Sequence, residues 1–514
     1  MSAPTNQLAG TARVLITLSL AYAFGIFTFA AAMGLTGSRL ISATVATCIA
    51  AFVAWFCWRH PIVSLDEAAS SRPLKVISGL ATLAALILLT RLCIFIVNPT
   101  AVGYAISPSR GLGLPTSHSC LSAYYMAARF VPTVPNVYEY ELYSFPAESP
   151  TALRKPRRIK MFNIDAYEYP PPFLLLPRAL AVLTPDFLRF RMVWFALNGA
   201  VLLIGLLTVA QMLGPVTGTR AFLLSPLVLA SDITIGTLQV GNLQVIVFPL
   251  AMIAMVLFAQ RRGPQRTWSL GWERRYLVGG ALLAFMTVSK LFPGLLIVYL
   301  LVRRQWRALA WTMGLIIALT AISLLDTGWR PYHAFLAHLP RLLSGEAFAA
   351  FRNPGAVAHN YSVPGMVFKL QLFGLAGRPF GAMRIVGWIY TLILLAITII
   401  VSRRTLTREQ QPIVWLTILI LASLRSPFLP AYAVPPVIWL LTLLAATVAP
   451  TARTLCGVVA AWVILNITSP IQGPDPRLSA AIILLPQTVI VLLIVLALRN
   501  QKASPIHVPV GPGD

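Results

Sequence analysis

The feature that most limits what this chain can become is a recurrence of apolar runs about as long as a bilayer is thick. They fall at about 12–33, 40–57, 75–97, 189–213, 220–236, 240–259, 276–302, 306–325, 383–401, 412–425, 430–447, 454–469 and 479–497. At a rise of about 1.5 Å per residue, a run of roughly 20 residues matches a hydrocarbon core of about 30 Å. Lipid offers no partner to an unpaired backbone N–H or C=O, so each run is expected to be helical. A transmembrane barrel would instead show alternating segments of about ten residues, and these runs are continuous. With 58% hydrophobic and 11% charged residues in 514, a soluble globular domain is excluded. The expected fold is an all-α polytopic membrane protein of about 12–14 transmembrane helices.

The formal charge of +25 lies mostly in short loops between the runs, where it sets topology and meets anionic lipid; no nucleic-acid partner is expected. Arg261, Arg262, Arg266, Arg274 and Arg275 form one basic loop, Arg303, Arg304 and Arg307 a second, and Arg403, Arg404 and Arg408 a third. The positive-inside rule puts all three in the cytoplasm. That is consistent only if 276–302 crosses an even number of times, as two short helices turning at Ser289-Lys290-Leu291-Phe292-Pro293-Gly294. Both termini are then cytoplasmic. The expected organisation is one integral domain over 1–500 with a short cytoplasmic tail, 501–514, in the cell membrane. Two long hydrophilic segments, 98–188 and 326–382, fall outside, and long loops of this kind usually carry function.

An outward site narrows the candidates. Asp66, Glu67, Glu273, Glu409 and Asp514 fall on the cytoplasmic side, whereas Glu139, Glu141, Glu148, Asp165, Glu168, Asp186, Asp232, Asp326, Glu346 and Asp475 do not. Asp165 and Glu168 lie in Asp165-Ala166-Tyr167-Glu168-Tyr169-Pro170-Pro171-Pro172, just before the apolar stretch 173–183. Prolines stiffen that approach and aromatics suit the headgroup layer, so it reads as a loop docking back onto the membrane ahead of a short interfacial helix. Asp232 stands near Asn242 and Gln244, and is expected to cluster with those amides at the outer end of a helical hairpin or to make interhelical hydrogen bonds. Lys290 either holds an anionic headgroup or snorkels. His359, Asn360 and Arg425, with His333, His338, Arg341 and Arg352, supply polar and cationic groups of the kind a phosphate-bearing lipid requires. No metal is expected, since the six histidines show no HExxH spacing and no Asp-x-Asp pair occurs. Of five cysteines, Cys48, Cys57, Cys93 and Cys456 belong to apolar runs and Cys120 alone to a polar loop, so no disulfide framework is expected.

Several pieces in order resemble glycosyltransferase family 87, membrane enzymes of the C-type glycosyltransferase superfamily that includes mannosyltransferases. They are Ala123-Tyr124-Tyr125-Met126-Ala127-Ala128-Arg129, Tyr167-Glu168-Tyr169-Pro170-Pro171, Gly241-Asn242-Leu243-Gln244, Lys290-Leu291-Phe292-Pro293 before Arg303, and the Asn360 to Ser362 turn. The resemblance implies a C-type bundle with outer interfacial helices, and an inverting, metal-independent transfer of a sugar from a polyprenyl-phosphate donor to a lipid or glycan acceptor outside the cytoplasm. It implies no cofactor. It also places a catalytic aspartate about four residues before the tyrosine pair, where this chain has Cys120. Asp165 or His118 is the expected substitute base, and neither is carried over from the family. Tyr124, Tyr125, Glu168, Asp232, Asn242, Gln244, Lys290, His359, Asn360 and Arg425 are the expected substrate-binding groups. The alternative is a transporter or flippase of lipid-linked or amphipathic solutes, although large outer loops with few intramembrane charges favour the transferase.

Overall fold

The computed structural model describes residues 5–60, 71–106, 116–147, 154–260, 270–467 and 475–499. Arg261, Arg262, Arg266, Asp66, Glu67, Glu148 and the tail 501–514 lie outside the described residues. Among those described, seven helices are long and apolar enough to cross a membrane, and the pair Pro215–Leu229 and Asp232–Val240, bent by 62°, makes an eighth if counted as one span. The remaining runs form shorter apolar helices, including Gln244–Ala259, Phe292–Val302, Gln410–Ser423 and Ala431–Ala446. Burial explains how the interior ones can be short. Residues 412–423 and 434–446 are buried throughout, and a helix shielded by other helices need not match the lipid thickness. Outer helices show the reverse pattern, with Phe52, Trp55, Ile385, Trp388 and Leu392 exposed as lipid-facing residues are.

Hydrogen bonds at the helix ends fix how the chain travels. Glu273, in the first turn of Leu270–Ser289, accepts from Trp311 Nε1 at 3.2 Å and lies 3.7 Å from Arg307, at the start of Trp306–Thr327. These two helices therefore start at the same end. The chain between them goes out through Leu270–Ser289, breaks at Lys290, and returns through Leu295–Val302, in keeping with two helices over 276–302. At this end Arg303 donates to the carbonyl of Arg404 at 2.8 Å and Arg404 to that of Leu498 at 3.1 Å. Thr217 donates to Glu409, Arg220 to the Val448 carbonyl, and Ser71 to the Pro450 carbonyl. The basic loops that the structure describes thus share one end.

Both long hydrophilic segments gather at the other end. The first packs as the helix Leu121–Phe130, a small sheet and the helix Leu175–Leu183. In the sheet, His118–Ser119 runs parallel to Phe162–Ile164, with His118 opposite Asn163 and Ser119 opposite Ile164, and Arg158–Ile159 completes it antiparallel. Continuing that register by one residue brings Cys120 beside Asp165. Prolines 170 to 172 cannot extend a strand and start a 3-10 turn, Pro171–Leu174, that leads into Leu175–Leu183. Arg178 on that helix grips Asp326, at the end of Trp306–Thr327, with Nη2 2.9 Å from Oδ1. Asp186 then caps Phe187–Met212 by accepting from the N–H groups of Leu188 and Arg189, a contact typically worth about 1 kcal/mol. The second segment contributes the helices Arg330–Ser344, Pro354–Ala358 and Met366–Leu372.

Candidate active site

Several interior helices stop short at one level. Gln244 begins one, Ser289 ends another, Phe292 and Leu295 stand at the opening of the return helix, and Ser423 ends a third. Each of these residues lines a cavity of about 1430 Å³ that the two long hydrophilic segments roof. Longer spans, Trp306–Thr327, Pro379–Ser402 and Pro476–Arg499, surround these shorter helices. Leu343 and Trp388 line the cavity although they are 42% and 59% exposed, so it reaches the apolar exterior of the bundle.

One wall comes from the first outer segment. His118 Nδ1 lies 3.3 Å from Asp165 Oδ1, and its Nε2 lies 3.5 Å from Cys120 Sγ. The Tyr432 hydroxyl approaches that sulfur at 3.3 Å and His118 Nε2 at 3.4 Å. Asn242 Nδ2 donates to the sulfur at 3.4 Å; its Oδ1 accepts from the Gln244 N–H at 2.9 Å, which fixes the amide's orientation. Burial disfavours a charged imidazole here, but the Asp165 carboxylate and the Cys120 sulfur outweigh it and hold the His118 pKa well above the usual histidine range. Burial, and secondarily the charge of Asp165, pushes the Glu168 carboxyl up to about 8. At neutral pH Glu168 is therefore a neutral donor close to Asp165.

The backbone under this wall is held tightly. Ser122 Oγ receives the Asp165 N–H at 3.0 Å and donates to the Asn163 carbonyl at 3.1 Å, tying the helix Leu121–Phe130 to the strand. Tyr124 donates to the Tyr169 hydroxyl at 2.8 Å, accepts the Leu243 N–H, and meets Tyr169 and Phe173 edge-on. Gly241, at φ +71, makes the turn that delivers Asn242; a Cβ there would press on Leu121 at 3.0 Å. Trp194 Nε1 locks the turn by donating to the Gly241 carbonyl.

The facing wall is cationic. Lys290 Nζ donates to Gln244 Oε1 at 2.8 Å and sits 5.5 Å from the centre of the Tyr169 ring. Arg425 Nε donates to Thr391 Oγ1 at 2.7 Å. His359 Nδ1 is 2.8 Å from the Gly355 carbonyl. Gln244 Nε2 and His359 Nε2 are buried without a protein partner, and both residues line the cavity. Buried polar atoms are normally satisfied, so these two are placed to meet a ligand.

The expected residues His118, Cys120, Asp165, Tyr124, Glu168, Asn242, Gln244, Lys290, His359 and Arg425 all line this cavity. Three others do not. Tyr125 points away, against Phe187 and Phe190. Asn360 is spent on the fold: its amide donates to the Pro427 carbonyl and accepts from the N–H groups of Ser362 and Leu429, shaping the turn that carries Arg425. Asp232 opens the helix Asp232–Val240, whereas Asn242 and Gln244 follow its end. The expected cluster of Asp232 with those amides is therefore corrected, because nine helical residues separate them by roughly 13 Å. Tyr432 is the site residue that sequence reasoning missed, and its signal was a tyrosine just after Leu429-Pro430-Ala431 at an outer turn. His118, Cys120 and Asp165 also place one ligand-type atom each within 4.8 Å of one another, a grouping able to hold a metal ion that linear spacing did not disclose.

No curated protein matches the sequence. Among solved structures the chain is similar to ArnT from Cupriavidus metallidurans bound to undecaprenyl phosphate, at 15% identity over 82% of this chain and 77% of that one, with a TM-score of 0.31. The same enzyme in the apo state matches at 12% identity over the same shares, with a TM-score of 0.29. At those scores the likeness assigns no residue or activity. The family comparison is closer. Residues 167–429, more than half of the chain, match the family model for Glycosyltransferase family 87, and this stretch holds Glu168, Asn242, Gln244, Lys290, His359, Arg425 and the turn that Asn360 shapes. The chain is a multi-pass membrane protein that belongs to glycosyltransferase family 87.

Proposed function

We propose that the protein transfers a sugar, mannose or a similar hexose or pentose, from a polyprenyl-phosphate donor to a lipid or glycan acceptor at the outer face of the cell membrane, with both termini cytoplasmic. The observation that carries this reading is the cavity itself: a wall of thiol and carboxyl groups faces a cationic wall, in a space that reaches the apolar exterior. A polyprenyl tail stays in lipid while its phosphate and sugar enter. Lys290 and Arg425 offer fixed positive charge and hydrogen-bond donors to the phosphate as its bond to the sugar breaks, with His359 lining the same cavity. Membership of a glycosyltransferase family favours this over the transport alternative.

The acceptor hydroxyl needs a base within hydrogen-bond reach. Asp165 fits that role better than His118, because an imidazole held in its charged form has no lone pair to accept a proton. Neutral Glu168 is placed to donate a hydrogen bond to an oxygen of the sugar or phosphate. The deciding experiment incubates purified protein in lipid nanodiscs with radiolabelled polyprenyl-phosphate mannose and polyprenyl-phosphate pentose, with membrane extracts as acceptor. Label is expected to move to a new product. Movement of intact donor across a proteoliposome membrane with no new glycoside would overturn the proposal.

A further inference from the structure

Arginines from both outer segments gather around one phenol at the edge of the cavity. Tyr140 donates to the Ala347 carbonyl at 2.6 Å, which fastens the first outer segment to the turn after the helix Arg330–Ser344. The guanidinium of Arg154 lies over the Tyr140 ring, 5.8 Å from its centre. Arg341 stands in the last turn of Arg330–Ser344, and its carbonyl receives the Ala347 N–H at 3.1 Å. Arg352 ends the 3-10 turn Ala349–Arg352 that comes next. Burial and then Glu168 push the Tyr140 hydroxyl up to about 12, while Arg341, Arg352 and Arg154 pull the other way, so the three guanidinium groups act on a single spot. Arg154 pairs with Glu141, whereas among the described residues neither Arg341 nor Arg352 has a carboxylate within ion-pair distance. Like charges gathered without a counter-ion repel, and a phosphate among them relieves that repulsion through the planar fork of each guanidinium. His338 is the second sign of a missing ligand. It stacks on Tyr138 at 5.5 Å and meets Tyr140 edge-on at 6.3 Å, yet its Nε2 is buried with no protein partner. Burial, and secondarily the charge of Arg341, lowers its pKa and keeps the ring neutral at pH 7. Leu342, Leu343, Phe348, Ala350 and Asn353, which stand between or beside Arg341 and Arg352 in the chain, line the cavity, and so does Glu168.

Resting on the transferase reading above, we propose that Arg341, Arg352 and Arg154 form a second anion site at the edge of the cavity, which holds a phosphate of the acceptor. The acceptor is thereby a phosphate-bearing molecule. Lys290 and Arg425 stand on other elements, at the break after Leu270–Ser289 and at the turn after Gln410–Ser423, so donor and acceptor phosphates are held apart by different parts of the fold. Glu168 connects the two regions, since it feels the charge of Asp165 and is itself felt by Tyr140. An acceptor anchored at the arginines extends past Glu168 toward the proposed base. Selection at this edge is by charge, because a neutral acceptor leaves the guanidinium groups of Arg341 and Arg352 with water alone.

The test has two arms. In the first, a membrane extract is separated on an anion exchanger into neutral and anionic fractions. Each is offered, with radiolabelled polyprenyl-phosphate mannose and polyprenyl-phosphate pentose, to the full-length protein in phosphatidylcholine nanodiscs. Label is expected to enter the anionic fraction. The double variant Arg341→Gln, Arg352→Gln should need at least about tenfold more of that fraction for half-maximal rate, with half-saturating donor and maximal rate within about threefold of the natural chain. Label entering only the neutral fraction, or an unchanged requirement for the anionic one, overturns the acceptor site and leaves the transferase standing. The second arm needs no transfer. Short-chain, water-soluble phosphatidylglycerol should raise the melting temperature of the natural chain and of Lys290→Ala, and short-chain phosphatidylcholine should not. The double variant should lose that response, and Arg341→Lys, Arg352→Lys should keep part of it. A response that vanishes in Lys290→Ala and survives in the double variant puts the anion in the donor pocket and overturns the proposal. An arginine-dependent response with an unchanged acceptor requirement marks a site for bulk anionic lipid and overturns it as well. Arginine-dependent binding with no transfer to either fraction keeps the anion site and removes the transferase reading, and absence of both binding and transfer overturns both.

Discussion

The two walls of the cavity differ in how completely their polar groups are already satisfied. On the wall of the first outer segment, Cys120, His118, Asp165 and Tyr432 contact one another, and Ser122 and Tyr124 brace the backbone beneath. On the cationic wall, Gln244 Nε2 and His359 Nε2 have no protein partner, although Lys290 and Arg425 each hold one hydrogen bond. The first wall is organised before any ligand arrives, as the proton-transfer role proposed for it requires. The second is completed by what binds. Damage to the first should therefore fall on turnover, and damage to the second on affinity.

The largest effect is expected from Asp165→Asn, which removes both the proposed base and the carboxylate that faces His118 Nδ1. Turnover should fall about 10²-fold to 10⁴-fold at equal folded yield, with donor affinity little changed. A loss confined to donor binding would erase the distinction between the walls. Lys290→Ala comes next, and the opposite signature is expected: about tenfold to a hundredfold weaker binding of donor, measured by competition with polyprenyl phosphate, and turnover largely recovered at saturating donor. Unchanged binding would make Lys290 a snorkelling residue.

A smaller effect concerns Glu168. Its folded pKa is raised to about 8, so the neutral form persists at neutral pH and is lost as pH rises through that value. For stability the sign is the same: the folded state keeps a proton that the unfolded chain releases near pH 4.5, so stability declines between there and about pH 8 and levels off above. Activity should fall on the alkaline side with a midpoint near 8, and Glu168→Gln, which stays neutral, should flatten that limb. An unaltered profile in Glu168→Gln would assign the limb to another group. The smallest effect on turnover is expected from Asn360→Ala. Its cost should appear as about 1 to 3 kcal/mol of stability, because the Leu429 and Ser362 N–H groups lose their partner. Thermal melting in detergent should fall while activity per folded molecule stays within about threefold.

The membrane class was legible because runs such as 75–97 and 306–325 leave a helix as the simplest way to satisfy their backbone in lipid. The break at Lys290 was legible too, since a lysine, a proline and a glycine interrupt one apolar run. What the sequence could not disclose is contact between distant segments. Asp165 and Cys120 are brought together by a parallel pairing of a two-residue and a three-residue strand, too short to register as periodicity. Tyr432 reaches Cys120 from 312 residues away. Asp232 misled because nearness in sequence to Asn242 hid the helix that separates them, and Asn360 because a polar residue in an outer turn looks the same whether it faces a ligand or clamps its own backbone.

The short interior helices have one more consequence. Gln410–Ser423 runs from the basic end to the cavity in 14 residues, or about 21 Å, against roughly 30 Å for the hydrocarbon core. The floor of the cavity is thus a pit sunk about 9 Å beneath the rim formed by the longer helices around it. On the proposed function, a lipid-linked donor sliding along the leaflet would meet that pit from the side without leaving the membrane, so its search would be confined to a plane. An activated sugar at the bottom of that pit would then lie beneath the level of the rim, away from bulk water, until an acceptor reaches down to it.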